Sequence, residues 1–521
     1  MNRSRLLTST LNTTVLRLIG QVVALGSGIL ISAQFGANTA TDSYYTALIL
    51  PGSLANILAT ALMVAFIPLY LEHINRAPQE QSTLLRSVYS IALLSFIPAG
   101  VVSLIGVGFS LTSRQLTSPT DTQQAVHFGL AFLALIPLLG GARLAAFICE
   151  AHQHYSASVF AVLANYGVFL VLLVMTVNTL GIYSLLLANL GGAGAEFTCI
   201  WGYSRTKLNL PIVFSLRIHP VVWKAVRNSP APIIAYLAFF FVPVIDRTIA
   251  TTLQTGSLTA FHYGERIVTA IDALIAGGVL IVLSNYWANI VASKGREAII
   301  EGVNEGIALF AFGLIPLCIG AALLGRPIIS VIFERGAFTV IDQSAAVFSI
   351  LVGCLFLSHY IGLFLRLFQT LRNSRAQIMF SLLTIPLNLI FDLVFVSTFG
   401  LLGIALSTLF TRFIVVSALY IFLRRELPGI GLYRIWPQLS RTLFSTLIMG
   451  GVVIALQTLL AGVLARESGF ALQVASLIVV IGCGIVTYLS VARLIKHPDL
   501  RTLLQVAMRT RYSAFVKWMN W

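Results

Sequence analysis

SRTKLNLPIVFSLRIHPVVWKAVRNS, residues 204–229, is the longest connection in a chain that is otherwise a succession of apolar runs. It carries five basic residues and reads as a linker lying on a membrane surface. A span needs about 20 predominantly apolar residues. By that measure fourteen segments qualify: 12–34, 44–71, 87–111, 125–149, 158–178, 181–203, 230–253, 265–290, 304–325, 344–365, 377–398, 400–423, 442–464 and 470–492. The linker therefore divides the first twelve into six and six. The expected fold is an all-α polytopic membrane protein of about fourteen transmembrane helices.

Composition points the same way. Of 521 residues, 58% are hydrophobic and 10% charged, with a mean hydropathy of +0.91, against about 25% charged in a soluble globular domain. The formal charge of +15 raises the question of nucleic acid only for a soluble chain. Here the placement of the charges is more informative. With the N-terminus inside, the even-numbered loops and both termini hold 24 of the 33 Lys and Arg residues, and the odd-numbered loops hold four: Arg114, Arg326, Arg335 and Arg466. Cytoplasmic loops carry the basic excess, so both termini are expected to be cytoplasmic. The basic start MNRSRLLTST has no small-residue cleavage site after its first apolar run, which reads as a retained helix. Cys149, Cys199, Cys318, Cys354 and Cys483 fall in apolar segments without CxxC spacing, so neither a disulfide framework nor a metal site is expected. The end of the chain, RTLLQVAMRTRYSAFVKWMNW, reads as a basic amphipathic segment on the anionic inner leaflet.

Several spans carry polar stripes. Arg247 has Pro243, Thr251 and Gln254 at helical spacing, and Glu265, Thr269 and Asp272 form one face of the eighth span beside Arg266. The first span aligns Thr13, Arg17 and Gln21; the sixth Asn189, Gly192 and Glu196; the eleventh Thr384, Asn388 and Asp392; the twelfth Thr408 and Arg412. Ionisable groups inside a bilayer face the bundle interior or a watery cavity. A carrier or pore needs such an interior, and an anchor does not. Asp246 and Arg247 either neutralise each other, join an interhelical network, or border a cleft. Arg266 either snorkels to the outer interface or serves the cavity. Arg143 and Arg412, near cytoplasmic ends, read as snorkelling residues. Asn388, Glu196 and Asp392 read as helix-packing hydrogen bonders. Arg17, several residues inside its span with no acid on its own face, is the least comfortable charge. Arginine in a wet cleft suits a phosphate-bearing anion, because guanidinium meets phosphate oxygens in pairs. No Walker A loop, HExxH or GxSxG is present, and no paired acids of a glycosyltransferase stand in the external loops, so an enzyme is not expected. A faint echo joins the halves: AQFGANTATDSYY follows the first span and ATTLQTGSLTAFHY the seventh. Repeated halves with a midplane site are common in secondary transporters.

These residues also carry a family resemblance. IFERGAFTVID (332–342) is similar to the FERGAFT…D signature of the lipid II flippases, the MurJ/MviN family. FGANTATDSYYTALILP (35–51), AFIPLYLEH (65–73), SPAPII (229–234), VIDR (244–247), TGS (255–257), YGERI (263–267) and FGLLGIALSTLF (399–410) resemble further stretches of that family in register. The resemblance implies a multidrug/oligosaccharidyl-lipid/polysaccharide exporter fold, with two six-helix lobes in a V and two further helices. It assigns residues 1–203 to the N-lobe, 204–229 to the linker and 230–425 to the C-lobe. Residues 426–495 become a pair of helices shaping a groove for the polyprenyl tail, and 496–521 a cytoplasmic tail. It also implies a cationic cavity for diphosphate and sugar. Arg17, Arg266 and Asp42 match family positions, and Arg247, Asp246 and Asp272 complete the set of candidate substrate-binding residues. Two family arginine sites are replaced: Val23-Ala24 stand for Arg-Asp, and Ala55 and Asn56 stand for an Arg pair, with Thr60 in place of a glutamate.

The resemblance implies a flippase for a polyprenyl-diphosphate-linked saccharide in the bacterial inner (plasma) membrane, with lipid II as the leading substrate. Its partners are then membrane lipids and cell-wall or glycan assembly enzymes, and no nucleic acid. No cofactor is implied, and the coupling is to Na⁺, H⁺ or membrane potential. Alternatives are a flippase for another polyprenyl-linked glycan, a cation-coupled drug exporter of the MATE type using Asp246, Asp272 and Asp392, and a non-transporting scaffold.

Overall fold

The computed structural model describes residues 3–113, 119–208, 218–228, 230–276, 299–334, 336–371, 373–464 and 469–501. Inside lipid every backbone N–H and C=O must be satisfied within its own segment or a closed barrel. The described residues answer with helices throughout and no strand. In chain order these are α1 (Arg3–Phe35), α2 (Thr39–Arg76), α3 (Gln81–Ser113), α4 (Pro119–Phe132), α5 (Leu135–Ala151), α6 (Tyr155–Leu180), α7 (Tyr183–Lys207), α8 (Pro220–Asn228) and α9 (Pro230–Ala250). They continue with α10 (Ser257–Ala276), α11 (Ile299–Leu323), α12 (Gly325–Phe333), α13 (Ile341–Thr370), α14 (Ser374–Phe399), α15 (Leu401–Glu426), α16 (Leu432–Leu459), α17 (Ala461–Leu464) and α18 (Phe470–Leu494). The apolar segments are largely helical where they are described, with turns at their ends or within them. Ten helices among the described residues are long and apolar enough to cross a membrane. The fourth segment is broken at Leu133 and Ala134. Pro137 follows immediately, and its ring excludes the carbonyl four residues back while removing a donor. Most of the C-terminal amphipathic stretch, from residue 502 on, lies outside the described residues.

Two compact units emerge. The first comprises Met1–Tyr263, Arg335–Val340 and Ser374–Ile404. In it α2 packs against α3, α4, α5 and α9, α6 against α7, and α9 against α14. One of its clusters buries Phe66, Tyr70, Leu84, Leu85, Val88 and Tyr89, and Val222 of the linker helix α8 is buried among them. In the second unit α11 packs against α13 and α16, and α16 against α18. There Tyr488 donates to the Phe312 carbonyl at 2.7 Å and Tyr360 to the Ile307 carbonyl at 2.6 Å.

Three glycine corners shape one end of the first unit. Gly36 (φ +63°), Gly256 (φ +88°) and Gly336 (φ +59°) are all left-handed, a backbone that side chains resist. The Ala337 N–H donates to the Ala33 carbonyl at 3.0 Å, which brings the FERGAFT segment onto the end of α1. A Cβ on Gly36 would collide with the Ala337 carbonyl, and one on Gly336 with the Ala33 carbonyl. Gly181 is left-handed too (φ +52°), but a Cβ there meets open space. Gly181→Ala should therefore cost only the left-handed penalty, roughly 1–2 kcal/mol, and Gly336→Ala clearly more. Thermal unfolding of the two variants in detergent checks this; equal losses would contradict the described corner.

Candidate functional site

The echo noted in the sequence turns out to be a pair of matched corners. After Gly36 the chain enters α2 through a capping box: the Thr41 N–H donates to Asn38 Oδ1 at 3.0 Å, and the Asn38 N–H to Thr41 Oγ1 at 2.9 Å. After Gly256 the chain enters α10 with no side chain at the cap position. Asp42 supplies the missing cap from the other half of the sequence. Its carboxylate accepts the Gly256 N–H at 2.6 Å, the Thr259 N–H at 3.0 Å and the Thr259 hydroxyl at 2.6 Å. A negative charge at a helix N-terminus is favourable, and a buried carboxylate is tolerable only when its oxygens are met by donors. Asp42 is 2% exposed. Of the candidate substrate contacts, it is therefore placed as a tie between two corners. Tyr263 adds an edge-to-face contact with Phe338 at 5.0 Å and another with Tyr45 at 6.3 Å.

Asp246 sits in a second cluster. It is 4% exposed, so water in a cleft is not what holds it. The Asn388 amide donates to Asp246 Oδ1 at 2.6 Å and to Asp392 Oδ2 at 2.8 Å. Pro243 lies in α9 and Pro386 in α14, close to these residues. Each proline removes a helical hydrogen bond, so the backbone beside the cluster is more polar than elsewhere. Asn388 Oδ1 is buried without a hydrogen-bond partner among the described residues. Two carboxylates thus converge on one amide between α9 and α14. Hard oxygen donors of this kind suit a small cation or a proton.

The remaining candidates are spread over both units. Arg247 is half-buried on α9 in the first unit, and Arg266 is half-buried on α10 in the second. Arg17 lies on α1, with its side chain outside the described residues. Asp272, in the second unit, lies 3.3 Å from His359 Nε2. His359 Nδ1 is 2.8 Å from the Leu355 carbonyl and so carries the proton of that bond. His359 was not a sequence candidate, because a lone histidine on an apolar helix gives no sign of an acid on a neighbouring helix. Arg143 also differs from expectation. Its Nε donates to Asn56 Oδ1 at 3.0 Å, a partner on another helix. Asn56 is one of the two residues standing where the family motif has arginine, so a guanidinium from α5 reaches the place that α2 no longer fills. Glu196 is buried and accepts from Asn165 at 2.7 Å, tying α7 to α6.

Comparison with known proteins adds to this geometry. A family model described as "Lipid II flippase MurJ" matches residues 31–475. A protein of Bdellovibrio bacteriovorus named "Probable lipid II flippase MurJ" is 26% identical over 280 residues, which is 52% of this chain and 52% of that protein. One of Synechocystis sp. with the same name is 24% identical over 440 residues, covering 80% of this chain and 81% of that one. Among solved structures, "Lipid II flippase MurJ, inward closed conformation" matches with a TM-score of 0.76 and 17% identity, covering 93% of this chain and 98% of the other. An inward-facing multidrug resistance MATE transporter of the MOP superfamily matches at 0.60 and 14%, covering 80% and 98%. At such identities the structural matches speak for the fold.

The cap from Asp42 gives an ordered expectation. Thr259→Val removes one donor to it, while Asp42→Ala leaves a helix start and a hydroxyl bare. With bonds to a charged group worth about 1.5–3 kcal/mol each, Asp42→Ala should lower the thermal midpoint clearly further than Thr259→Val. Equal midpoints would remove Asp42 from the corner.

Proposed function

The chain belongs to the lipid II flippase MurJ family, and from that membership we propose that it moves lipid II, a polyprenyl-diphosphate-linked saccharide, from the inner to the outer leaflet of the bacterial inner membrane. The observation that carries this reading is the family match over residues 31–475. The MATE-type drug exporter has weaker support, since its structural match is lower, 0.60 against 0.76. The protein is a transporter and catalyses no covalent step.

The mechanism is alternating access. Loops one, seven and nine hold few basic residues, which marks their side as external, and they are the loops that Gly36, Gly256 and Gly336 fold together. The Asp42 cap then acts as an outer seal that must open to release the head group, while the polyprenyl tail stays in lipid along residues 426–495. Arg17, Arg247 and Arg266 are the cavity cations for the diphosphate. Arg143 joins them, held by Asn56 at 3.0 Å in place of a motif arginine. Asp246, Asn388 and Asp392 take up the coupling cation, Na⁺ or H⁺, with membrane potential assisting outward movement of an anion, at about 2.3 kcal/mol per charge per 100 mV. Both termini are cytoplasmic, and the product passes to cell-wall assembly enzymes.

Proteoliposomes carrying the purified protein and lipid II with a labelled head group test the reading directly. Flipping is expected for the native chain. Arg247→Ala and Arg143→Ala should each slow it by about 10-fold or more, the worth of one charge-assisted contact to phosphate. Transport of another polyprenyl-diphosphate glycan but not lipid II would move the assignment to that substrate. Near-native flipping by Arg247→Ala would remove that residue from the site.

A further inference from the structure

Away from the proposed transport path, the turn between α2 and α3 meets the linker where it enters α8. There the structure sets two imidazoles on one carboxylate. His73 Nε2 lies 2.6 Å and His219 Nε2 3.4 Å from the same oxygen, Glu80 Oε2. The two rings stand edge to face with centroids 5.6 Å apart. Atoms able to ligate a metal, one from each residue, all lie within 4.8 Å of one another.

Each residue is placed by contacts outside the trio. His73 is in the last turn of α2, and its carbonyl accepts the Ala77 N–H at 2.8 Å. Glu80 closes the short 3₁₀ turn Pro78–Glu80. The His219 N–H donates to Ser87 Oγ at 3.0 Å, and Val222, one turn further on, is buried in the α2–α3 core. The trio is thus assembled by the fold rather than by mutual attraction of mobile side chains. All three are part-exposed, at 25%, 43% and 20% of their side-chain surface, so water can complete a coordination shell.

We propose that His73, Glu80 and His219 form a binding site for one divalent transition-metal ion of the Zn²⁺ class, pinning the linker to the α2–α3 corner. Two imidazole nitrogens and a carboxylate oxygen are a common zinc donor set, with bonds near 2.0–2.2 Å and a fourth position for water. In such a tetrahedron ligand atoms stand about 3.3 Å apart. The 3.4 Å contact already has that spacing, and the 2.6 Å contact must widen by well under 1 Å. A second adjustment concerns a hydrogen bond. His219 Nδ1 accepts the Val221 N–H at 3.3 Å, whereas ligation through Nε2 places the proton on Nδ1. That long bond is given up, and the Val221 N–H, in the first turn of α8, passes to water. Since residues 204–229 join the two halves of the chain, an ion here restrains the linker. A slowing of flipping by the metal rests on the function proposed above; binding itself does not.

The test uses the full chain in nanodiscs with no affinity tag, stripped by EDTA and titrated with Zn²⁺ against a chromophoric chelator. One Zn²⁺ per chain is expected, with Mg²⁺ in large excess failing to displace it. Glu80→Gln, which keeps shape and hydrogen bonding, and His219→Ala should each weaken binding by about 100-fold, while His127→Ala should not. Thermal midpoints in EDTA identify any variant that fails to fold, in which case Glu80→Gln decides. Equal binding by native protein and the folded Glu80→Gln variant, or displacement by Mg²⁺, would overturn the site, leaving the trio as an ion-paired cluster.

Discussion

The structure depends on how a buried carboxylate is kept inside an apolar bundle. Burying an unpaired charge is costly enough that it must find donors or lose the charge. Asp42 finds two backbone N–H groups and a hydroxyl at the start of a helix more than two hundred residues later in the chain. That start has glycine at its cap position and none of the usual capping side chains. Each partner therefore satisfies the other's need. Because the contact spans the two sequence halves, one interaction fixes both the local start of α10 and the meeting of two loops on one side of the membrane.

The cluster of Asp246, Asn388 and Asp392 meets the same demand in another way. Here one amide donates to two carboxylates, and among the described residues its own oxygen meets no donor. A structural network would be expected to use every acceptor it buries. An oxygen-rich set with one acceptor in reserve suits a group that takes up and releases a cation, which a carrier requires and a scaffold does not. In the function proposed above, the Asp42 cap is the seal and this cluster the coupling site.

Much of this was legible in the sequence. The apolar runs gave the helices, because backbone satisfaction in lipid leaves no other choice. A polar stripe at helical spacing marks Asn388 and Asp392, and a charge inside an apolar run marks Asp246, since both signals are local. Partners on other helices were not legible. Nothing local distinguishes Arg143 bonded to Asn56 from Arg143 reaching for the membrane surface, or shows that Asp272 faces His359. Asp42 is a candidate through its match to a family position, and the two backbone N–H groups and the threonine its carboxylate meets leave no mark in composition. Pro137 was visible, yet the break it causes competes with the prolines inside α3, α9, α11, α14 and α16 that leave their helices whole. Packing decides between those outcomes.

The family places the chain among flippases while two motif arginine sites hold Val23, Ala24, Ala55 and Asn56 instead. The most direct measurement is growth of a bacterium depleted of its own lipid II flippase, with this chain as sole replacement and its membrane level verified. Rescue is the expected result. It would mean that Arg143, Arg247 and the remaining cavity cations suffice for the peptidoglycan precursor. Failure to rescue at a normal membrane level would contradict lipid II as the substrate.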